Sequence, residues 1–384
     1  MSTIAGNPTG NQVKDPYYIP VPRRTLYRRI WRLMMRLFAI LFVRAEVRGR
    51  RNFPREGPVI IVANHTAFLE IAMLIAYAPY PIEFLTTGDI PLEPRFAFWA
   101  RLYGFIPVNR GRMDRKAMSK AVSVLNQGGV VGLFPQGGIW ETKVTQAHTG
   151  VAWLSQKSNA RVVPIGFGGT EGSFAKAIRL QRPRITMNVG QPIAATPNQI
   201  DGLSRKETLE HGTGEVMQAV FDLIPEYEKD RWATIEEEHY ELTVTFTADG
   251  EVIEPPEDAP TVTETRWASL FFHRPVLLDA MRRNLELEVG YLEHLPENRD
   301  PAAFAAALDV VLYYVREDNP FFLTYRFGNS EGQKMADGLA QLRDMAQWAA
   351  QAGYGMNIMP IRRYRMQGHS DMQVEHYPDS VIEL

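Results

Sequence analysis

The 384-residue sequence predicts an α/β fold: a mostly parallel sheet flanked by helices, preceded by an amphipathic membrane-surface helix and followed by a smaller α+β domain. Three observations lead there. Short β-rich runs alternate with helical stretches as far as Gln191, the pattern of a sheet crossed by helices. The run Val59–Ala63 is apolar at every position, which suits a strand covered on both faces. At roughly 150 residues per domain the length calls for two domains, and the composition changes near residue 229.

Residues 1–22 are rich in Pro, Gly, Asn and Thr and read as a disordered lead. No basic flank followed by an apolar stretch is present, so no secretory signal is predicted. Residues 23–45 then take on a helical period. At about 100° per residue Arg24, Arg28, Arg29, Arg32 and Arg36 share one arc, and Leu26, Ile30, Trp31, Leu33, Met34, Leu37, Phe38 and Leu41 the opposite one. Residues 21–55 hold eleven arginines against one acid, a net +10 in a chain whose total is −2. Such a segment calls for an anionic partner. Its longest apolar run, residues 37–43, is far short of the about 20 residues a membrane span needs. The functional reading is a helix lying in the plane of an anionic membrane surface. The alternative is an amphipathic helix docked on its own domain.

Strands follow at residues 59–63, 83–86, 105–108, 130–134, 162–166 and 185–189, and helices at 69–78, 95–102, 115–126 and 150–157. A helix over 203–224, opened by the Ser204-x-x-Glu207 capping box, closes a domain at 46–228. In residues 229–384 a hairpin comes first, with Tyr240, Leu242, Val244 and Phe246 alternating and Asp249-Gly250 at the turn. A helix opened by Asp300-Pro301, a strand at 321–327, a helix at 333–350 and a strand at 356–363 complete the unit. It carries no motif that points to chemistry.

Cysteine is absent, which excludes disulfides, thiolate zinc sites and an acyl-cysteine intermediate, and fits a reducing compartment. The expectation is a cytoplasmic protein held peripherally on the membrane. The near-neutral total charge gives no global field for nucleic acid. There is no G-x-S-x-G, no phosphate-loop G-x-x-x-x-G-K, no G-x-G-x-x-G and no H-E-x-x-H. The eight histidines stand singly, so no metal site is predicted.

What remains is Asn64-His65-Thr66-Ala67-Phe68-Leu69-Glu70, directly after an apolar strand. A histidine at that strand end sits where α/β sheets place ligands. A carboxylate five residues on, across a strand-to-helix turn, can accept the second imidazole N–H and fix the tautomer, the logic of a base and its orienter. A capped turn with an ordinary histidine is equally compatible with these two residues alone. Three further strand ends follow: Gly104 through Asn109-Arg110, Leu133-Phe134-Pro135-Gln136-Gly137-Gly138, and Val162-Val163-Pro164-Ile165-Gly166. Separately, each has a bland reading as a turn or a strand entering a loop.

In this order and spacing they resemble the glycerolipid acyltransferase family, typified by 1-acylglycerol-3-phosphate acyltransferase, whose motifs are N-H-x-x-x-x-D, G-x-x-x-x-x-R, F-P-E-G-T and an apolar V-P-[IV] strand. The resemblance covers about residues 46–225. It implies that His65 is the general base for an acceptor hydroxyl attacking the thioester of acyl-CoA or acyl carrier protein, and that Glu70 orients it. It further implies that Arg110, with Asn109 beside it, binds an anionic group of a lysolipid acceptor, and that Phe134, Pro135, Gln136 and Gly137 shape the acceptor pocket. No metal or cofactor beyond the donor thioester is implied. The chain departs from the pattern at Glu70 (Asp in the family), Gln136 (Glu) and Ile139 (Arg in many members). The first asks the imidazole or the turn to shift by about one C–C bond, roughly 1.5 Å. The other two weaken a phosphomonoester acceptor more than they weaken acyl transfer. Arg112, Arg115, Lys116 and Lys143 are replacement cations, although each also suits a solvated helix face. A catalytically impaired lipid-binding relative and an acyl-thioester hydrolase on the same scaffold are the alternative readings.

Overall fold

The apolar runs build a seven-stranded sheet in a computed structural model that describes residues 16–65, 67–88, 98, 101–108, 114–135, 149–229, 235–274, 277, 300–376 and 382–383. Its strands are β1 (Arg44–Arg48), β2 (Val59–Ala63), β3 (Glu83–Thr87), β4 (Ile106–Val108), β5 (Val130–Leu133), β6 (Arg161–Gly168) and β7 (Arg184–Val189), in the spatial order β1-β7-β6-β2-β5-β3-β4. Every neighbouring pair is parallel except β6 with β7. The predicted α/β class, with its mostly parallel sheet, is what the chain adopts.

Because strand side chains alternate in direction, β2 divides its apolar residues between two cores. Val59, Ile61 and Ala63 face a cluster that includes Leu69 and Met73 of α2 (Leu69–Tyr77), against which α1 (Thr25–Phe42) packs. Ile60 and Val62 face α3 (Arg115–Asn126), α4 (Gly150–Ser158) and the long helix Arg205–Leu223. Ser204 opens that last helix with both hydrogen bonds of the expected capping box. A short helix at Ser173–Ile178, here α5, sits between β6 and β7; the long helix is then α6, and α7 is Glu226–Lys229.

Beyond residue 229 a five-stranded antiparallel sheet forms from β8 (Ile235–Ala248), β9 (Glu251–Ile253), β10 (Gly355–Met366), β11 (Gln373–His376) and β12 (Ile382–Glu383). The Asp249-Gly250 turn has both residues at positive φ, as a two-residue hairpin requires. Helices α8 (Thr265–Phe272), α9 (Pro301–Tyr313), α10 (Phe321–Phe327) and α11 (Asn329–Ala352) complete a shared core around Phe271, Phe304, Leu308 and Leu339. Asp300 caps α9 by accepting from Ala302 N at 2.9 Å.

Four expectations need correction. Residues 321–327 form helix α10, not a strand. Phe322 and Leu323 are buried in the helical core while Phe321 stays exposed, so packing overrides the β-rich composition. Residues 18–22 are pinned rather than disordered: Ile19 is buried, and Gln127 Nε2 donates to its carbonyl at 2.7 Å. The helix expected over 23–45 ends at Phe42, and Arg44–Arg48 forms a strand because its backbone pairs with β7. The arginine arc of α1, expected to face an anionic surface, is partly turned into the protein. Arg28 is 4% exposed and forks onto Glu83 at 2.5 and 2.8 Å, and Arg24 donates to the carbonyls of Arg101 and Leu102. Burial pushes the Glu83 carboxyl upward, but Arg28 and Arg23 outweigh it and hold the group below its ordinary value. With that side of α1 occupied, part of the apolar arc turns outward, leaving Leu26, Ile30, Leu33, Met34, Leu37, Ile40 and Leu41 exposed.

Candidate active site

Strands β2 and β6 run parallel, with Ala63 opposite Ile165, so both end at the same edge of the sheet. Asn64 fastens the two chains just past that point. Its amide donates to the Phe167 carbonyl at 3.1 Å and accepts from the Phe167 N–H at 2.7 Å, extending the ladder by one side chain. This buried bridge fixes where the next residue, His65, leaves the sheet.

His65 Nδ1 lies 2.5 Å from Glu70 Oε2, across the turn into α2. Glu70 is fully buried, in the first turn of that helix, and its other oxygen accepts from Thr170 Oγ1 at 2.7 Å. A buried carboxylate is costly unless hydrogen bonds replace its water, and these two contacts engage both oxygens. Thr170 is itself buried, and Ser173 Oγ donates to its carbonyl. Gly169, at φ 73°, turns the chain from β6 toward Thr170; a Cβ there would stand 2.2 Å from the Arg184 carbonyl, so only glycine fits. Phe134, just past β5, stacks on the imidazole with ring centroids 4.0 Å apart and planes 19° apart.

The arrangement has a definite chemical sense. An ionised Glu70 only accepts, so Nδ1 carries the proton in neutral His65 and Nε2 is the basic nitrogen of the ring. The imidazole side chain is 15% exposed, enough to meet a substrate while Glu70 and Phe134 restrict its motion. The extra methylene of Glu70 is taken up within the turn, because the longer chain reaches His65 and Thr170 together.

Of the expected site residues, His65, Glu70 and Phe134 come together, and Pro135 is buried next to Phe134 in sequence. Asn109, Arg110, Gln136 and Gly137 lie outside the described residues, as do Arg112, Ile139 and Lys143. Arg115 and Lys116 are exposed on α3, in keeping with a solvated helix face. Thr170 was not foreseen. The only signal for it is its place just beyond the V-P-I strand, and its use depends on β6 lying beside β2.

Residues 44–168 match the acyltransferase family. Among curated relatives, a 1-acyl-sn-glycerol-3-phosphate acyltransferase of Chlamydomonas reinhardtii is 29% identical over 164 residues, 41% of this chain and 49% of that protein. The Bacillus subtilis enzyme of the same name is 22% identical over 160 residues, 41% of this chain and 78% of that protein. The human alpha form is 27% identical over 195 residues, 46% and 62% respectively. The chain spans about half the length of the first of these relatives. Among solved structures, the 1-acyl-sn-glycerophosphate acyltransferase PlsC of Thermotoga maritima aligns with a TM-score of 0.40 and 21% identity, over 55% of this chain and 83% of that one.

Proposed function

We propose that this chain, whose residues 44–168 match the acyltransferase family, is a glycerolipid-type, membrane-associated O-acyltransferase. It moves a fatty acyl group from acyl-CoA or acyl carrier protein to a hydroxyl of a lysolipid or related amphipathic alcohol. The observation that carries this reading is the linked set Thr170–Glu70–His65, with Phe134 stacked on the imidazole, at the ends of β2 and β6.

In the proposed reaction His65 Nε2 takes the proton of the acceptor hydroxyl as its oxygen attacks the thioester carbonyl. Glu70 stabilises the imidazolium that forms. The C–S bond of the tetrahedral intermediate breaks, the thiolate leaves, and the imidazolium returns the proton to sulfur. Donor and acceptor meet in one ternary complex, with no covalent enzyme intermediate and no cofactor beyond the donor. General base catalysis of this kind contributes about 10²–10⁴ in rate.

Membrane association draws its support from α1. No helix among the described residues is long and apolar enough to cross a membrane. Yet seven large apolar side chains of α1 face outward, with the exposed Arg29 and the half-buried Arg36 beside them. This is the composition of a helix that lies in the interface.

Thioester consumption with and without a lysolipid acceptor tests the reading. Acceptor-dependent release of CoA, lost in folded His65→Ala, is the expected result. Release without acceptor points to a hydrolase, and no release with any acceptor to a lipid-binding relative. Transfer at the wild-type rate by His65→Ala sinks the mechanism.

A further inference from the structure

We infer that residues 172–184, most of the connection from β6 to β7 with the first residue of β7, form with the outward face of α1 one continuous surface that seats the protein on an anionic lipid bilayer. The inference rests on the membrane reading of α1 and adds a second, separate contact. Phe174, Ile178 and Leu180 are all exposed, Ile178 by 60% and Leu180 by 70%. Three large apolar side chains turned to water within seven residues exceed the scattered exposure of ordinary surfaces. Leu180 also sits at φ 60°, a left-handed conformation that favours glycine or asparagine. Its side chain packs little against the protein, so the fold alone gives no reason for leucine there. A bilayer gives one.

Charge selects the partner. From the end of β6 to Arg184 the chain holds Lys176, Arg179, Arg182 and Arg184 against one acid, Glu171, a net +3. Arg184 is paired with Glu46 at 2.7 Å, while Lys176, Arg179 and Arg182 lie exposed among the apolar side chains. Apolar tips ringed by cations suit the boundary between acyl chains and anionic head groups. A second copy of this chain would bring like charges together on the same face.

Continuity with α1 follows from the topology. Arg44, the first residue of β1, stands opposite Arg184, the first of β7, and β7 runs antiparallel to β6. The end of α1, the 172–184 connection and the edge carrying His65 therefore share one end of the sheet. Arg182 Nη2 donates to the Ile40 carbonyl at 2.9 Å, and Arg44 N–H to the Pro183 carbonyl at 2.9 Å. Ile40 and Leu41, exposed at the end of α1, thus extend the same patch. Thr170, which holds Glu70, lies only four residues before Phe174. An acceptor dissolved in the membrane would approach the imidazole from the plane that this surface defines.

The absence of native cysteine permits a direct test on the full chain. Leu180→Cys and, separately, Leu37→Cys are labelled with an environment-sensitive fluorophore and mixed with vesicles of phosphatidylcholine containing phosphatidylglycerol. Both labels should brighten several-fold, shift to the blue and be quenched by spin-labelled lipid. Ile178→Gln combined with Leu180→Asn, both exposed positions and the second suited to positive φ, should weaken vesicle flotation at least about tenfold. A silent label at Leu180 with a responsive one at Leu37 overturns the second contact and leaves the α1 reading standing. Silence at both positions overturns the membrane reading itself. A response at Leu180 alone overturns the single shared surface.

Discussion

Thr170→Val removes one hydroxyl from the site and little else, since the two side chains have nearly the same shape. The hydroxyl is 2.7 Å from Glu70 Oε1, in a place where neither group meets bulk water. A hydrogen bond to a charged group contributes about 1.5–3 kcal/mol, equivalent to about 10- to 160-fold in rate if the whole loss appears as misplacement of the carboxylate. Thr170 sits behind Glu70, away from the nitrogen that meets substrate. The variant should therefore lower kcat by about that factor and leave KM nearly unchanged. Thr170→Ser keeps the hydroxyl and should recover most of the rate. Glu70→Asp draws the carboxylate back by roughly 1.5 Å, so it cannot keep both contacts without movement of α2. In that background Thr170→Val should cost much less, a coupling on the order of 1 kcal/mol or more in a double-mutant cycle. Steady-state acyl transfer on the four proteins, with thermal melts to confirm folding, measures all of this. A folded Thr170→Val with wild-type kcat, or strictly additive losses, would falsify the positioning role. A lower Tm with unchanged kcat would reduce Thr170 to packing.

Three other outcomes are expected. Glu83→Gln strands the buried guanidinium of Arg28 and should cost about 3–5 kcal/mol of stability, read as a fall in Tm; an unchanged Tm would show that the pair does not hold α1. Because the Glu83 carboxyl is held low in the folded state, its contribution is complete above the ordinary carboxylate pKa of about 4.3 and is lost as pH falls through the lowered value. The opposite kind of group, His273, is lowered to about 4, chiefly by burial and further by Arg362 and Arg274, against the opposing Glu375 and the Pro360 carbonyl. The unfolded chain then takes up the proton first, so stability present above about pH 6.5 should decline by up to about 3 kcal/mol as pH drops toward 4. His273→Phe should flatten that slope in pH-dependent melts, and a slope identical to wild type would assign it to other groups. Lysophosphatidic acid should be a poorer acceptor than a lysophospholipid diester or a neutral glycolipid, because Gln136 and Ile139 stand where the resemblance leads one to expect Glu and Arg, and a poorly paired dianion is costly. Arg110→Ala should raise KM for phosphate-bearing acceptors only; a clear preference for lysophosphatidic acid in head-to-head assays would contradict this.

Strands with strong patterns were legible in the sequence. Val59–Ala63 appears with its expected bounds because five consecutive apolar residues in a short run suit only a strand buried on both faces. The capping box at Ser204, the Asp300 cap and the Asp249-Gly250 turn were legible for a similar reason, since each is local chemistry within four residues. The pairing of His65 with Glu70 was also local. Elements set by distant contacts were not. Arg44–Arg48 is a strand because β7 lies beside it, and nothing in its own composition marks it. Residues 321–327 looked like a strand because Phe, Tyr and Thr favour strands. The buried side of a seven-residue run depends on what it packs against, here α11. Arg28 shares its helical arc with Arg32 and Arg36, and it is drawn inward by the distant Glu83 and by the carbonyl and ring of Tyr103.

The one antiparallel neighbour in the main sheet links these observations. Had β7 continued the parallel pattern, the chain leaving β6 would have crossed to the far end of the sheet, as parallel connections must. Instead it reverses at the edge where β2 ends, so the connection starts and finishes at the end of the sheet that carries His65. Gly169 allows the first bend, Thr170 donates to Glu70, Ala177 tucks into the core, and Arg182 reaches the end of α1 at the Ile40 carbonyl. The parallel pairing of β1 with β7 then brings the carboxyl end of α1 to the same edge. One reversal of strand direction thereby places the histidine, the residue holding its carboxylate and the two exposed apolar segments at one end of the molecule. Moving β7 to a parallel register would separate them even if every local contact of the His65–Glu70 turn were kept.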